Sequence, residues 1–254
     1  EVVADYQRLK ERDPSRPVLL NLGQGVANDQ WRGRGSGARQ DDYLTYVQGA
    51  DIVSFDVYPV AGIGKPDGEN YLWYVARGVE RLRRWTSNRK PIWAVIETTR
   101  ISSQRRATPA QVRSEAWMAL ISGASGLLYF AHEFKPKFNE WRLLDDPEML
   151  AGVTALNREI LGLAPVLNSP TVEGLAMESS PAEVPVAAMV KQHDGHLWLF
   201  AVGLRNAATQ ATFRLPQPHR GAAEVLGENR RLTVTDGCFS DSFGPYEVHL
   251  YRLD

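Results

Sequence analysis

Residues 91–130 read PIWAVIETTRISSQRRATPAQVRSEAWMALISGASGLLYF, and this stretch decides the fold. It opens on a short apolar run, Pro91–Glu97, whose length and β-branched content predict a buried strand. A helix follows from Thr108-Pro109-Ala110-Gln111, where a cap residue, Pro at the first helical position and Gln at the third predict a capping box. That helix stops near Ser122-Gly123, and a second apolar run, Gly126–Phe130, predicts another strand. A strand, a helix and a strand, both strands mostly apolar, make a parallel β/α unit.

The same alternation extends outward. Upstream, a helix over Val2–Arg12 is stopped by Asp13-Pro14, and a strand follows over Pro17–Leu22. A long loop, Gly23–Gln40, leads to a short helix capped by Asp41 or Asp42. Asp51–Tyr58 predicts a further strand, ended by Pro59. Leu72, Val75, Val79, Leu82 and Trp85 recur at helical spacing and predict a helix over 70–86. Downstream, a helix starts at Asp146-Pro147 and runs to about Leu161. Four strands alternating with helices fit either a doubly wound open sheet or a (β/α)8 barrel.

After Pro165 the pattern changes to short β-like runs: PVAAMVK, HLWLFAVGL, ATFRLP, AAEVLG, RLTVT and YEVHLYRL. Asp194-Gly195 predicts a tight hairpin between the first two, and Gly227-Glu228-Asn229 predicts another turn. The division is therefore 1–167 for the β/α part and 168–254 for an antiparallel sandwich.

Composition narrows the chemistry. The chain has 254 residues, 43% hydrophobic, with 29 Lys plus Arg against 30 Asp plus Glu. That balance makes no electrostatic case for nucleic acid or an anionic membrane. No apolar run approaches the roughly 20 residues of a membrane span. The single cysteine, Cys238, excludes an intrachain disulfide. No cofactor is indicated: Gly33-Arg34-Gly35 lies within a loop and not at a strand-to-helix turn, so it does not read as a dinucleotide site. The five His residues show no metal-ligand spacing, and no Gly-x-Ser-x-Gly elbow is present. The chain opens at Glu1 with neither Met nor a signal sequence, and localisation stays unassigned.

Ligand sites of parallel β/α folds lie at the carboxyl ends of the strands. The first strand brings Asn21 and, just beyond, Gln24. The second brings Asp56 and Tyr58, two apart and on one face. The third ends in Glu97, above Trp93 and Val95, and the fourth in Tyr129, His132 and Glu133. Hydrogen-bonding groups mixed with aromatic rings suit a neutral polyhydroxylated ligand. Each residue also has a plain structural reading: Glu97 salt-bridged to Arg100 or a neighbouring Arg, Asp56 bonded to loop amides, Tyr58 in packing, His132 as a satisfied loop histidine. Arg81, Arg83, Arg84 and Arg105-Arg106 read as solvated faces.

The order of elements resembles the second half of a clan A glycoside hydrolase, the retaining (β/α)8 group. DYQRLKERDPSRPVLLNL resembles the approach to the fifth strand, DIVSFDVYP the sixth, PIWAVIET the seventh and GASGLLYFAHEF the eighth. DGCFSDSFGPYEVHLYRL resembles the close of the β-sandwich that trails such barrels. The resemblance implies an α/β fold, the second half of a TIM (β/α)8 barrel followed by an antiparallel β-sandwich domain. It implies a carbohydrate substrate and a double displacement with Glu97 as the catalytic nucleophile. Asn21, Gln24, Asp56, Tyr58, Tyr129 and His132 would hold the sugar, with Trp31 or Trp141 as stacking rings. The acid/base Glu of this group, at the end of the fourth strand, has no counterpart here.

That departure implies a longer protein carrying the missing N-terminal half-barrel, a pairing of two chains, or an upstream piece held noncovalently. The chain alone would hydrolyse natural glycosides poorly, with residual action on aryl glycosides that need little protonation. Two other expectations stand beside this one. The chain is a non-catalytic carbohydrate-binding or scaffold protein on a degenerate hydrolase fold, or Glu97 and Glu133 form a carboxylate pair within it. The sandwich either binds polysaccharide through Trp198 or Tyr246 or only packs against the barrel.

Overall fold

A computed structural model describes residues 1–31 and 37–253. Gly33-Arg34-Gly35 lies outside the described residues. The first half is α1 (Val2–Arg12), β1 (Leu19–Asn21), α2 (Gly25–Asn28), α3 (Gln40–Tyr46), β2 (Ile52–Asp56), α4 (Tyr74–Trp85), β3 (Ile92–Glu97), α5 (Pro109–Ile121), β4 (Gly126–Phe130), α6 (Arg142–Asp145) and α7 (Pro147–Leu167). The four strands form one sheet in the order β1-β2-β3-β4, every pair parallel.

Its two faces differ, as a period of two requires. Val53, Phe55, Ile92, Ala94 and Ile96 are fully buried. In the same unit, Val75, Val79, Leu82 and Trp85 give α4 its buried side. A Cβ on Gly78 would stand 2.2 Å from the Phe55 ring, so this glycine is what lets the helix backbone approach β2. The opposite face carries Asn21, Trp93, Val95 and Phe130, with Leu19 41% and Leu128 37% exposed. Gly126 leaves room there for the Trp93 indole, which a Cβ would meet at 2.6 Å.

The chain divides into two compact units, residues 1–108 with 122–146, and residues 109–121 with 147–254. This division does not follow chain order, because α5 and α7 bring their apolar sides to the second unit. Trp117 on α5 is fully buried and stacks on Phe200 at 5.3 Å, and its indole donates to Glu159 Oε1 on α7 at 2.6 Å.

Helix α7 runs six residues beyond the expected end at Leu161, with Pro165 accommodated in its last turn. By length and composition it is apolar enough to cross a membrane. Its middle nevertheless carries Asn157-Arg158-Glu159, and Met149, Val153, Leu156 and Val166 are buried.

The sandwich pairs a five-stranded sheet, β10-β9-β12-β7-β6, with a three-stranded one, β11-β8-β5. Its strands are β5 (Ala176–Ser180), β6 (Val186–His193), β7 (His196–Gly203), β8 (Thr209–Arg214), β9 (Gly221–Val225), β10 (Arg230–Val234), β11 (Cys238–Phe243) and β12 (Val248–Leu253). The hairpin at Asp194-Gly195 is present, both residues at positive φ as a type I′ turn demands. The core between the sheets includes Val190, Leu199, Phe213, Val225, Phe239 and Leu253.

Candidate functional site

The carboxyl ends of β1 to β4 gather most of the residues expected there. In the register of the parallel sheet, Asn21 faces Ser54, Asp56 faces Val95, and Glu97 faces Phe130. Asn21 Nδ2 donates to Asp56 Oδ1 at 2.7 Å, and Ser54 Oγ donates to Asn21 Oδ1 at 3.1 Å. Tyr58 lies beside Asp56. Burial raises the Tyr58 hydroxyl well above its ordinary value, and the charges of Asp56 and then Glu97 push it further. Its ring lies 5.1 Å from Phe130, which in turn lies 5.8 Å from His132. Asn21, Asp56, Tyr58, Phe130 and His132 thus form a continuous set.

Glu97 sits at the end of β3, fully buried. Oε1 accepts the Val60 N–H at 2.8 Å and Oε2 accepts the Ala61 N–H at 2.7 Å. Those amides belong to the loop after β2, which folds back through Gly62 and Ile63 N–H bonds to the Tyr58 carbonyl. A carboxylate across two consecutive amides is a charge-assisted clamp. Arg100 does not serve Glu97 as the plain reading had it: its guanidinium goes to Glu133, at 2.9 Å.

Glu133 is buried. It binds Arg100 and, at 3.5 Å, Arg142, and its backbone exchanges two 2.9 Å hydrogen bonds with Asn139. These ion pairs join the segment after β3, through Arg100, to the loop after β4, through Arg142.

One expected member, Tyr129, stands apart, and Gln24, next to Gly23 whose Cβ would lie 3.8 Å from Asp56 Oδ1, stays near the set. Tyr129 pairs with Ile96 in the register, and so occupies the opposite face from Glu97 and Phe130; burial there pushes its hydroxyl up to about 12. Gln24 donates to Gln30 Oε1 at 2.9 Å, within the loop around α2. Strand parity already carried the signal for Phe130, one residue beyond Tyr129.

The arginines read as solvated are partly interior. Arg81 reaches Asp29 at 2.8 Å and the Val26 carbonyl at 3.0 Å. Arg106 reaches Asp146 at 3.2 Å, both side chains largely buried. Carboxylate and carbonyl partners brought by distant segments draw them inward. Trp31 leans on Tyr43 at 5.2 Å, a packing role. In the sandwich Tyr246 is buried and Trp198 half-buried. Among the described residues no three His, Cys, Asp or Glu side chains are grouped to hold a metal.

No protein-family model matches the chain, and no curated protein matches it. Solved structures do. A noncanonic maltogenic α-amylase from Thermotoga neapolitana is similar over 99% of this chain and 58% of its own, at 12% identity and a TM-score of 0.54. A cyclomaltodextrinase is similar over 100% of this chain and 43% of its own, at 10% identity and a TM-score of 0.58. The chain spans about half the length of these glycoside hydrolases. At such identities the likeness is one of fold: the second half of a (β/α)8 barrel with a trailing β-sandwich.

Proposed function

We propose that the chain is the carboxyl-terminal half of a retaining glycoside hydrolase acting on a poly- or oligosaccharide. Residues 1–167 supply its fifth to eighth barrel strands, and 168–254 form an accessory sandwich. One observation carries the reading: Glu97 ends β3 on the sheet face where Asn21, Asp56 and Phe130 stand at neighbouring strand ends. An oxocarbenium-like centre needs a carboxylate beside it and hydroxyl partners around it.

In this mechanism Glu97 attacks the anomeric carbon as a Glu upstream of Glu1 protonates the leaving oxygen, at a carboxyl separation of roughly 5–5.5 Å. Water then cleaves the glycosyl ester, delivering its proton to that same upstream residue. Attack requires the 59–63 loop to release one oxygen of Glu97, because both now accept backbone amides. Asn21, Asp56 and His132 hold sugar hydroxyls, and Tyr58 orders Asp56. Gln24, just past β1, adds a further hydroxyl partner, and Tyr129 contributes only if its strand end rearranges.

The second reading, a sugar-binding or scaffold protein without turnover, is favoured by that same buried clamp. Glu97→Gln in the full-length protein separates the two. A hydrolase loses turnover by orders of magnitude and retains sugar affinity, whereas a binding protein has no turnover to lose. A fluorinated glycoside that traps the glycosyl ester gives an independent readout, a mass adduct on the peptide containing Glu97. Turnover unchanged by Glu97→Gln would end the nucleophile assignment.

A further inference from the structure

Phe134, Phe138 and Trp141 lie within eight residues of one another in the loop after β4, and are 46%, 56% and 62% exposed. Singly exposed apolar side chains need no explanation, but a cluster does. We propose that residues 132–141 form a subsite on which a pyranose ring stacks, with Phe138 as its platform. This rests on the carbohydrate reading above and extends it from His132, a member of the strand-end set, along the loop to Phe138.

Three observations support it. The rings are ordered among themselves: Phe138 stacks near-parallel to His132 at 6.1 Å and lies 5.5 Å from Phe134, which is 6.0 Å from Phe130. Phe138 thus lies near-parallel to His132 while more than half of the residue meets solvent, and the ring path runs unbroken to Phe130 and Tyr58. The loop is also held rigid. The Glu133–Asn139 backbone pair closes it, Arg100 and Arg142 grip Glu133, and Asn139 donates to Asp145 at 2.9 Å while accepting the Trp141 N–H at 2.9 Å. A ring already fixed in place loses little entropy when a ligand stacks on it. Finally, Phe138 lines an open surface depression of about 530 Å³ together with Glu133, Pro136, Lys137, Asn139 and Glu140. Apolar C–H faces of a sugar fit the ring, and its hydroxyls fit this polar lining. Glu133 is paired to Arg100 and Arg142, and the charges of Lys137 and Glu140 offset each other, which suits a neutral sugar.

The test measures binding of maltohexaose, cellohexaose, xylohexaose and a hexauronate to the 254-residue chain by calorimetry, with saturation-transfer NMR to identify the protons in contact. The neutral sugar that binds should show its axial C–H protons saturated, and Phe138→Ala should weaken it about tenfold, the worth of one stacked ring. Phe138→Tyr should restore affinity and Phe138→Leu should not, which separates stacking from simple apolar cover. Binding that Phe138→Ala leaves unchanged overturns this subsite while the carbohydrate reading stands. Binding confined to the hexauronate and abolished by salt overturns stacking in favour of the lysines. No binding by any hexasaccharide at millimolar concentration overturns both readings for this chain.

Discussion

Glu97 and Asp241 are both buried carboxylates, and their partners give them different fates on substitution. Glu97 accepts one backbone N–H on each oxygen. A glutamine keeps one acceptor but turns an NH2 group toward the second amide, leaving two donors face to face in a site closed to water. Glu97→Gln should therefore cost about 1–3 kcal/mol of stability, read by urea unfolding, whether or not the residue is a nucleophile. A melt unchanged by the substitution would show that the 59–63 loop is not held by this carboxylate. Asp241, in the sandwich, is desolvated, which alone would raise its pKa. The bidentate Arg230 and the Tyr251 hydroxyl outweigh burial, and the carboxyl ends below its ordinary value. A depressed folded-state pKa stabilises above the unfolded value, roughly 3.9, and the contribution is lost as pH falls through the lower folded-state value. Asp241→Asn should cost about 3 kcal/mol near neutral pH and should flatten the stability loss below about pH 4. Thermal melts across that acid range test both.

At the scale of elements, the α4–β2 contact turns on one missing methyl group. Gly78 would gain helix propensity as alanine, about 1 kcal/mol, yet its Cβ would stand 2.2 Å from Phe55. Overpacking costs more than propensity returns, so Gly78→Ala should destabilise by about 1–2 kcal/mol net, and Phe55→Leu in the same chain should recover most of the loss. Additive rather than compensating effects would refute the contact. The β/α elements were legible because their strands are apolar runs bounded by Pro and Gly. The sandwich was less so. β5 (AMESS) and β11 (CFSDSF) are rich in Ser and charge, and no apolar run marks them. β11 is strand all the same, because Phe239, Asp241 and Phe243 alternate inward and Asp241 finds Arg230 and Tyr251. The strand ends that carry Asn21, Asp56, Tyr58 and Glu97 could be read from parity and length. What closes over Glu97 could not, since it is a pair of backbone amides, and amides at Val60 and Ala61 carry no side-chain signature. Of the rings in the loop after β4 only His132 and Trp141 were legible, because Phe134 and Phe138 obey no strand or helix period.

At the scale of the molecule, the four-stranded sheet is finished on one face and unfinished on the other. Val53, Phe55, Ile92, Ala94 and Ile96 are sealed, while Leu19 and Leu128 on the other face are 41% and 37% exposed. The sheet also ends in two edges, β1 and β4, and a parallel sheet ordinarily has both faces covered. Closing a barrel would bury these leucines and pair both edges. The two side chains thus report on the proposed upstream half directly. In the 254-residue chain, where each leucine still buries more than half of its surface, Leu19→Ser with Leu128→Ser should cost only about 1 kcal/mol per leucine. It should also reduce self-association in sedimentation velocity. In a protein that includes the upstream half, the same pair should cost several kcal/mol, about 2 or more per leucine, because each hydroxyl would then replace packed core. Equal effects in both settings would mean that the upstream residues do not close over this face, and the half-barrel proposal would fall with that result.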